Sequence, residues 1–179
     1  MASLDPGALD RLPAADFTAA MAPLFEGAPR FLARLAAARP LGSVDTLFAR
    51  ARAIAHAMPE DEQRELIDAH PRLGAPPGSV SALSFVEQGY DREAADAAAE
   101  AERATVAAAL DRLNAAYEAR FGFRYCTWVR GRPRAALLPE LEAVLTADPD
   151  AERRRALDAV VDIARDRYAK MAGLTEETA

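Results

Sequence analysis

The sequence predicts an all-α fold: a single-domain helical bundle with one long irregular loop. Three observations predict it. Alanine, leucine, glutamate and arginine, residues with strong helical preference, are abundant throughout. Apolar side chains recur at spacings of three and four, and clear strand-like alternation is missing. A dense run of prolines and glycines then breaks the helical pattern between His70 and Leu83. The chain of 179 residues is 51% hydrophobic, enough to bury one substantial core. One domain over residues 1–179 is expected, with a core from about residue 12 to residue 172 and short flexible termini.

Helices are expected from about Asp16 to Phe25, Pro29 to Ala38, Ser43 to Met58 and Pro59 to Ala69. Pro71, Gly74, Pro76, Pro77 and Gly78 forbid regular structure in the next stretch, which is the natural place for chemistry. A long helix from about Phe85 to Arg120 follows, with Val106, Leu110, Leu113 and Tyr117 on one face. Residues Phe121 to Arg132 are aromatic and bracketed by Gly122 and Gly131, an irregular turn. Pro133 suits the first turn of a helix carrying Leu137, Leu138, Leu141, Val144 and Leu145. Asp148 and Pro149 cap and start a last helix to about Met171, which ends near Gly173.

Composition excludes several classes of function. A net charge of -6 argues against general nucleic-acid binding and gives no attraction to an anionic membrane. No apolar run is long enough to span a bilayer. Met1 to Leu12 lacks an apolar signal core, so a cytoplasmic protein is expected. The lone Cys126 rules out an internal disulfide and a multi-cysteine metal site, and reads as a small buried hydrophobe. The two histidines, His56 and His70, lack zinc-binding spacing, and nucleophile-elbow, phosphate-loop and dinucleotide fingerprints are absent. Arg130, Arg132, Arg134 and Arg153 to Arg155 read as solvated.

Some polar residues sit where apolar ones are expected. His70 follows Ile67 by three residues and Leu66 by four, on their apolar face, and Pro71 ends the helix there. A histidine at a helix C-terminus has a stabilised cation and faces the loop mouth. From position alone, a core histidine satisfying a local carbonyl is the simpler reading. Ser84 and Glu87 have capping-box spacing for the long helix, which puts Glu87 and Gln88 in its first turn beside unpaired N–H groups. Arg167 falls between Ile163 and Val160, beside the apolar arc that Val160 shares with Leu157, Val161, Ala164, Tyr168 and Met171. A guanidinium so placed is partly buried and needs an anion. A substrate carboxylate, an internal ion pair and a snorkelling side chain all satisfy that need.

Taken together these motifs resemble one family. LIDAHPRLG resembles the AHPxLG block of 2-oxo-4-hydroxy-4-carboxy-5-ureidoimidazoline (OHCU) decarboxylases, and SFVEQ matches their S-x-x-E-Q signature. LNAAYEARFGFRYCTWVRGRP resembles their F-G-F-P-F-V segment, DIARDR their closing helix, and FEGAPRFLARLAAARP an early block. The likeness covers roughly Leu12 to Met171. It departs at Phe123-Arg124-Tyr125-Cys126, at Gly89-Tyr90-Asp91, and at Asp166, where the family has leucine.

The resemblance implies an all-helical, cofactor-independent and metal-free carboxy-lyase, often a homodimer, that converts OHCU to (S)-allantoin and CO2 in urate breakdown. It assigns His70 and Glu87 as catalytic residues. It assigns substrate binding to Pro71, Ser84, Gln88, Phe121, Phe123, Tyr125 and Arg167, with the backbone from Phe121 to Trp128 helping to line the pocket. The departures border that pocket. A related decarboxylase or lyase acting on another ureido or hydantoin acid is therefore an alternative, as is a noncatalytic ligand-binding homologue.

Overall fold

The computed structural model describes residues 4–92 and 97–173, which are helical with no strand among them. They divide into two compact units, Met1–Ala69 with Leu157–Ala179, and His70–Ala156.

The first unit opens with a helix absent from the sequence-based expectation, α1 (Pro6–Arg11). Asp5 caps it by accepting from the Ala8 amide at 2.9 Å, and Pro6 starts it. The fold thus begins before residue 12: Leu9 is fully buried, and the Asp10 carboxylate accepts from the amides of Leu41 and Gly42. The Arg39 guanidinium donates to the carbonyls of Leu9 and Leu12 at the helix end. Helices α2 (Ala14–Met21), α3 (Pro29–Ala37), α4 (Val44–Ala57) and α5 (Glu60–Asp68) follow near their expected bounds. The expected 16–25 helix tightens into a 3-10 turn at Ala22–Leu24, where Pro23 interrupts the α-helix. Ser43 caps α4 through the Thr46 amide at 3.1 Å. Arg30 pairs with Asp61 and Glu65, and Arg34 with Glu62, tying α3 to α5. These pairs are largely exposed and fix geometry more than they add stability.

The second unit begins with the irregular stretch, which holds only a 3-10 turn at Pro77–Ser79. The expected helix from Phe85 to Arg120 is not continuous. A short α6 (Ala82–Glu87) ends at Gly89, whose φ of +77° is left-handed, and a 3-10 turn follows at Tyr90–Arg92. The long helix is α7 (Ala97–Phe121). After the aromatic stretch and a 3-10 turn at Arg134–Leu137 come α8 (Leu138–Val144) and α9 (Pro149–Met171). By the division above, α9 starts in the second unit and ends in the first.

The core of the second unit is polar at its centre. Buried Tyr117 on α7 donates to Glu152 at 2.6 Å, and Glu152, only 2% exposed, is gripped by both Nε and Nη2 of Arg155. Burial opposes the Arg155 charge, but Glu152 outweighs it and holds the guanidinium above its ordinary pKa. Burial, then Glu152, pushes the Tyr117 phenol up. Arg155 is therefore not the solvated residue that its sequence neighbours suggest.

Candidate active site

The residues singled out around His70 belong to the second unit. α5 ends at Asp68, Ala69 closes it, and His70 is the first residue of the loop. His70 is 5% exposed and both its ring nitrogens are buried. Pro71 prevents the helix from continuing.

The loop has little regular structure, yet side chains hold its backbone almost residue by residue. Arg124 donates to the His70 carbonyl at 3.2 Å. Gln88 uses both ends of its amide, Nε2 on the Arg72 carbonyl at 3.2 Å and Oε1 on the Gly74 amide at 2.7 Å. Asn114 donates to the Leu73 carbonyl at 2.9 Å, and Tyr90 to that of Ala75 at 2.5 Å. Arg72 forks onto Glu118 of α7 at 2.6 and 3.0 Å. Gly74 is fixed twice over. Its φ is +82°, and a Cβ there would lie 2.8 Å from Leu110 Cδ1.

Helix α6 carries Ser84 and Glu87. Ser81, not Ser84, is its N-cap, accepting from the Ser84 amide at 3.2 Å. Ser84 lies within the helix, Glu87 is its last residue and Gln88 its C-cap, so the capping box and the first-turn placement are corrected. Ser84 and Gln88 are four residues apart, share one face and are 2% and 7% exposed, whereas Glu87 is half-buried. The Gln88 bonds attach this face to the loop just after His70. The structure thus ties the end of the helix carrying Ser84 and Glu87 to the loop that begins at His70 and Pro71, with Gln88 spending its amide on the loop.

The aromatic stretch forms core. Phe121, Phe123 and Tyr125 surround Tyr117 with ring centroids 4.6, 5.7 and 5.2 Å away. Each is at most 5% exposed. Cys126 is buried as expected, and its carbonyl accepts from Arg155 at 3.0 Å. The arginines of the next turn are engaged rather than simply solvated. Arg130 lies over Trp128 at 4.2 Å and Arg134 over Tyr90 at 4.1 Å. Arg132 pairs with Glu140 at 2.9 Å, and Glu140 also accepts from Tyr125 and Thr127.

Burial works against the Glu140 charge, but these donors outweigh it and hold the carboxyl below its ordinary range. A depressed folded-state pKa stabilises above the unfolded value, and that gain is lost as pH falls through the folded one. Glu140→Gln should therefore be less stable than wild type at pH 7, by roughly 0.5–1 kcal/mol after solvent screening. The gap should begin to narrow as pH falls below the ordinary glutamate pKa of about 4.3. Urea midpoints across pH 3–7 check this, and a gap that stays constant with pH would refute it.

Arg167 lies in the first unit. It is 1% exposed, with Nη2 on Glu26 Oε1 at 2.8 Å and Nη1 on the Pro23 carbonyl at 3.0 Å. Of the anions the sequence left open, an internal carboxylate is present. Glu26 itself sits at a φ of +49°, rare for a residue with a side chain.

Sequence reasoning missed Asn114 and the Arg72–Glu118 pair, and noted Arg124 only as a departure from the family pattern. Asn114 carried a signal: it stands four residues after Leu110 and three before Tyr117, a polar residue on an apolar face. The other bonds join distant segments and leave no local pattern.

A model of the OHCU decarboxylase family matches residues 10–169. A 2-oxo-4-hydroxy-4-carboxy-5-ureidoimidazoline decarboxylase from Haloferax volcanii is 29% identical over 162 residues, covering 90% of this chain and 92% of that protein. A crystal structure of OHCU decarboxylase in the presence of (S)-allantoin superposes with a TM-score of 0.63 at 23% identity, covering 82% of this chain and 93% of that one. A crystal structure of (S)-allantoin synthase gives 0.61 at 21% identity, covering 93% of this chain. This chain spans only 54% of the synthase's length. At such identities both structures speak to the fold.

Proposed function

The chain belongs to the OHCU decarboxylase family, and from that premise we propose that it decarboxylates OHCU to (S)-allantoin in urate degradation. The family match over residues 10–169 carries this reading. It is supported by the buried His70 on a braced loop, with Gln88, the neighbour of Glu87, bonded to the same loop.

The chemistry needs little from the protein. The substrate's carboxylate-bearing carbon adjoins a C=N bond, so the electrons left by CO2 pass onto ring nitrogen, which takes a proton. The 4-hydroxyl then loses its proton and becomes a carbonyl, while the neighbouring carbon gains one. His70 is assigned the hydroxyl proton as general base. Glu87 is assigned proton exchange and orientation of the ureido group. Ser84 holds an amide edge, and Gln88 acts by fixing the loop. By resemblance, Arg167 is assigned the substrate's anionic oxygens. Too firm a grip on the departing carboxylate would stabilise the ground state, so a ring carbonyl suits Arg167 better. No cofactor or metal enters this scheme, because the substrate is its own electron sink.

A chiral pocket delivers the proton to one face, and uncatalysed decay gives racemic allantoin. Circular dichroism of OHCU freshly generated from urate should show optically active allantoin appearing in proportion to added protein. Slow formation of racemic product alone would overturn the reading. Arg124 against the His70 carbonyl favours a second reading, a related ureido or hydantoin acid. A panel of such acids in the same assay separates the two. We also propose a cytoplasmic homodimer, and sedimentation equilibrium tests the dimer. No described helix is long and apolar enough to cross a membrane.

A further inference from the structure

Asn114 is 1% exposed and lies on the face of α7 that carries Leu110, Leu113 and Tyr117. Its Nδ2 donates to the Leu73 carbonyl at 2.9 Å. Its Oδ1 is buried and accepts no hydrogen bond from the described residues. A buried unsatisfied acceptor costs about 1–3 kcal/mol. Leucine has the same branched outline with bulkier methyl groups, and it would leave the Leu73 carbonyl without this donor. Asparagine at this position is therefore explained by its bond to the Leu73 peptide and not by the apolar face.

The amide bond falls on the peptide three residues after His70. The other side chains that grip this loop come from short or irregular segments: Gln88 from the end of α6, Tyr90 from a 3-10 turn, Arg124 from the aromatic stretch. Asn114 reaches the loop from the middle of a 25-residue helix, four residues before Glu118, which holds Arg72. We propose that Asn114 is a positioning residue of the site: it ties the Leu73 peptide to α7 and so fixes the loop that presents the His70 imidazole. It acts through the loop rather than on the substrate. Small displacements of a proton-transferring group are costly, since about 1 Å can lower a rate on the order of 100-fold.

The proposal rests on His70 being the base assigned above. Two variants test it, Asn114→Leu and the nearly isosteric Asn114→Asp, whose carboxylate cannot donate to Leu73. Both should lower kcat by about 10- to 100-fold while KM stays within about twofold. Helical circular dichroism should show both variants folded, and a kcat loss at near-constant KM is a change that a merely structural role would not produce. Amide hydrogen exchange over residues 70–75 should quicken by about tenfold in either variant. Should the leucine variant not fold, the aspartate variant decides alone. Folded variants with wild-type kcat and unchanged loop exchange overturn the proposal. A wild-type protein that leaves OHCU untouched removes the functional reading instead. Loop exchange in Asn114→Asp then still decides whether Asn114 fixes the loop.

Discussion

His70→Asn is expected to lower kcat for OHCU by about 10²–10⁴-fold, the usual worth of a general base. Asparagine keeps a polar side chain of similar reach but cannot take a proton near neutral pH. The fold should survive. His70 lies outside α5, the loop is held by Arg124, Gln88, Asn114 and Tyr90 through its backbone, and none of these bonds uses the imidazole. The main structural cost is the volume lost at a 5% exposed position, on the order of 1 kcal/mol. Helical circular dichroism should match wild type. Because the base acts in the transition state, kcat and kcat/KM should fall together. A variant that turns over within about threefold of wild type would remove His70 from the mechanism, since even the weakest general bases exceed that.

Much of the fold was legible because its signals are local. The cap at Ser43, the prolines at 29, 59 and 149 and the apolar face of the last helix each specify an element from neighbouring residues. α1 was not legible. Six residues show no periodicity, and the helix depends on Asp10 and Arg39 meeting groups some thirty residues away. The break at Gly89 was hidden by the alanine-rich run that follows it, where helical preference is strong enough to suggest continuity. The capping box failed for a related reason. Ser81 and Ser84 stand three residues apart, either can cap, and the choice fell to the segment that must meet the loop.

The residues of the candidate site were legible, but not their division of labour. His70 could be picked out by its place before Pro71, and the site segment by its prolines and glycines. That Gln88 serves the loop with both ends of its amide depends on the loop's path, which no spacing encodes. That the rings of Phe121, Phe123 and Tyr125 pack around Tyr117 likewise depends on the path of the chain after α7. Arg155 is indistinguishable from Arg153 and Arg154 until α9 turns it toward Glu152.

Arg167 carries two separable expectations. Removing the guanidinium in Arg167→Met leaves the Glu26 carboxylate, 13% exposed, without the cation it meets at 2.8 Å. Breaking a buried pair from one side costs about 3–5 kcal/mol, so Tm should fall on the order of 10 °C. Replacing both partners, in Arg167→Met with Glu26→Gln, removes the stranded charge and should return most of the lost Tm, because neutral pairs of similar volume are often as stable as buried ions. KM should behave differently. If Arg167 also holds the substrate's oxygens, the double variant keeps a raised KM, about tenfold or more for a lost charged contact. Calorimetry and steady-state kinetics on the two variants therefore separate the ion pair from substrate binding. An unchanged Tm in the single variant would show that Glu26 does not depend on Arg167. A wild-type KM in the double variant would leave Arg167 as a purely structural cation.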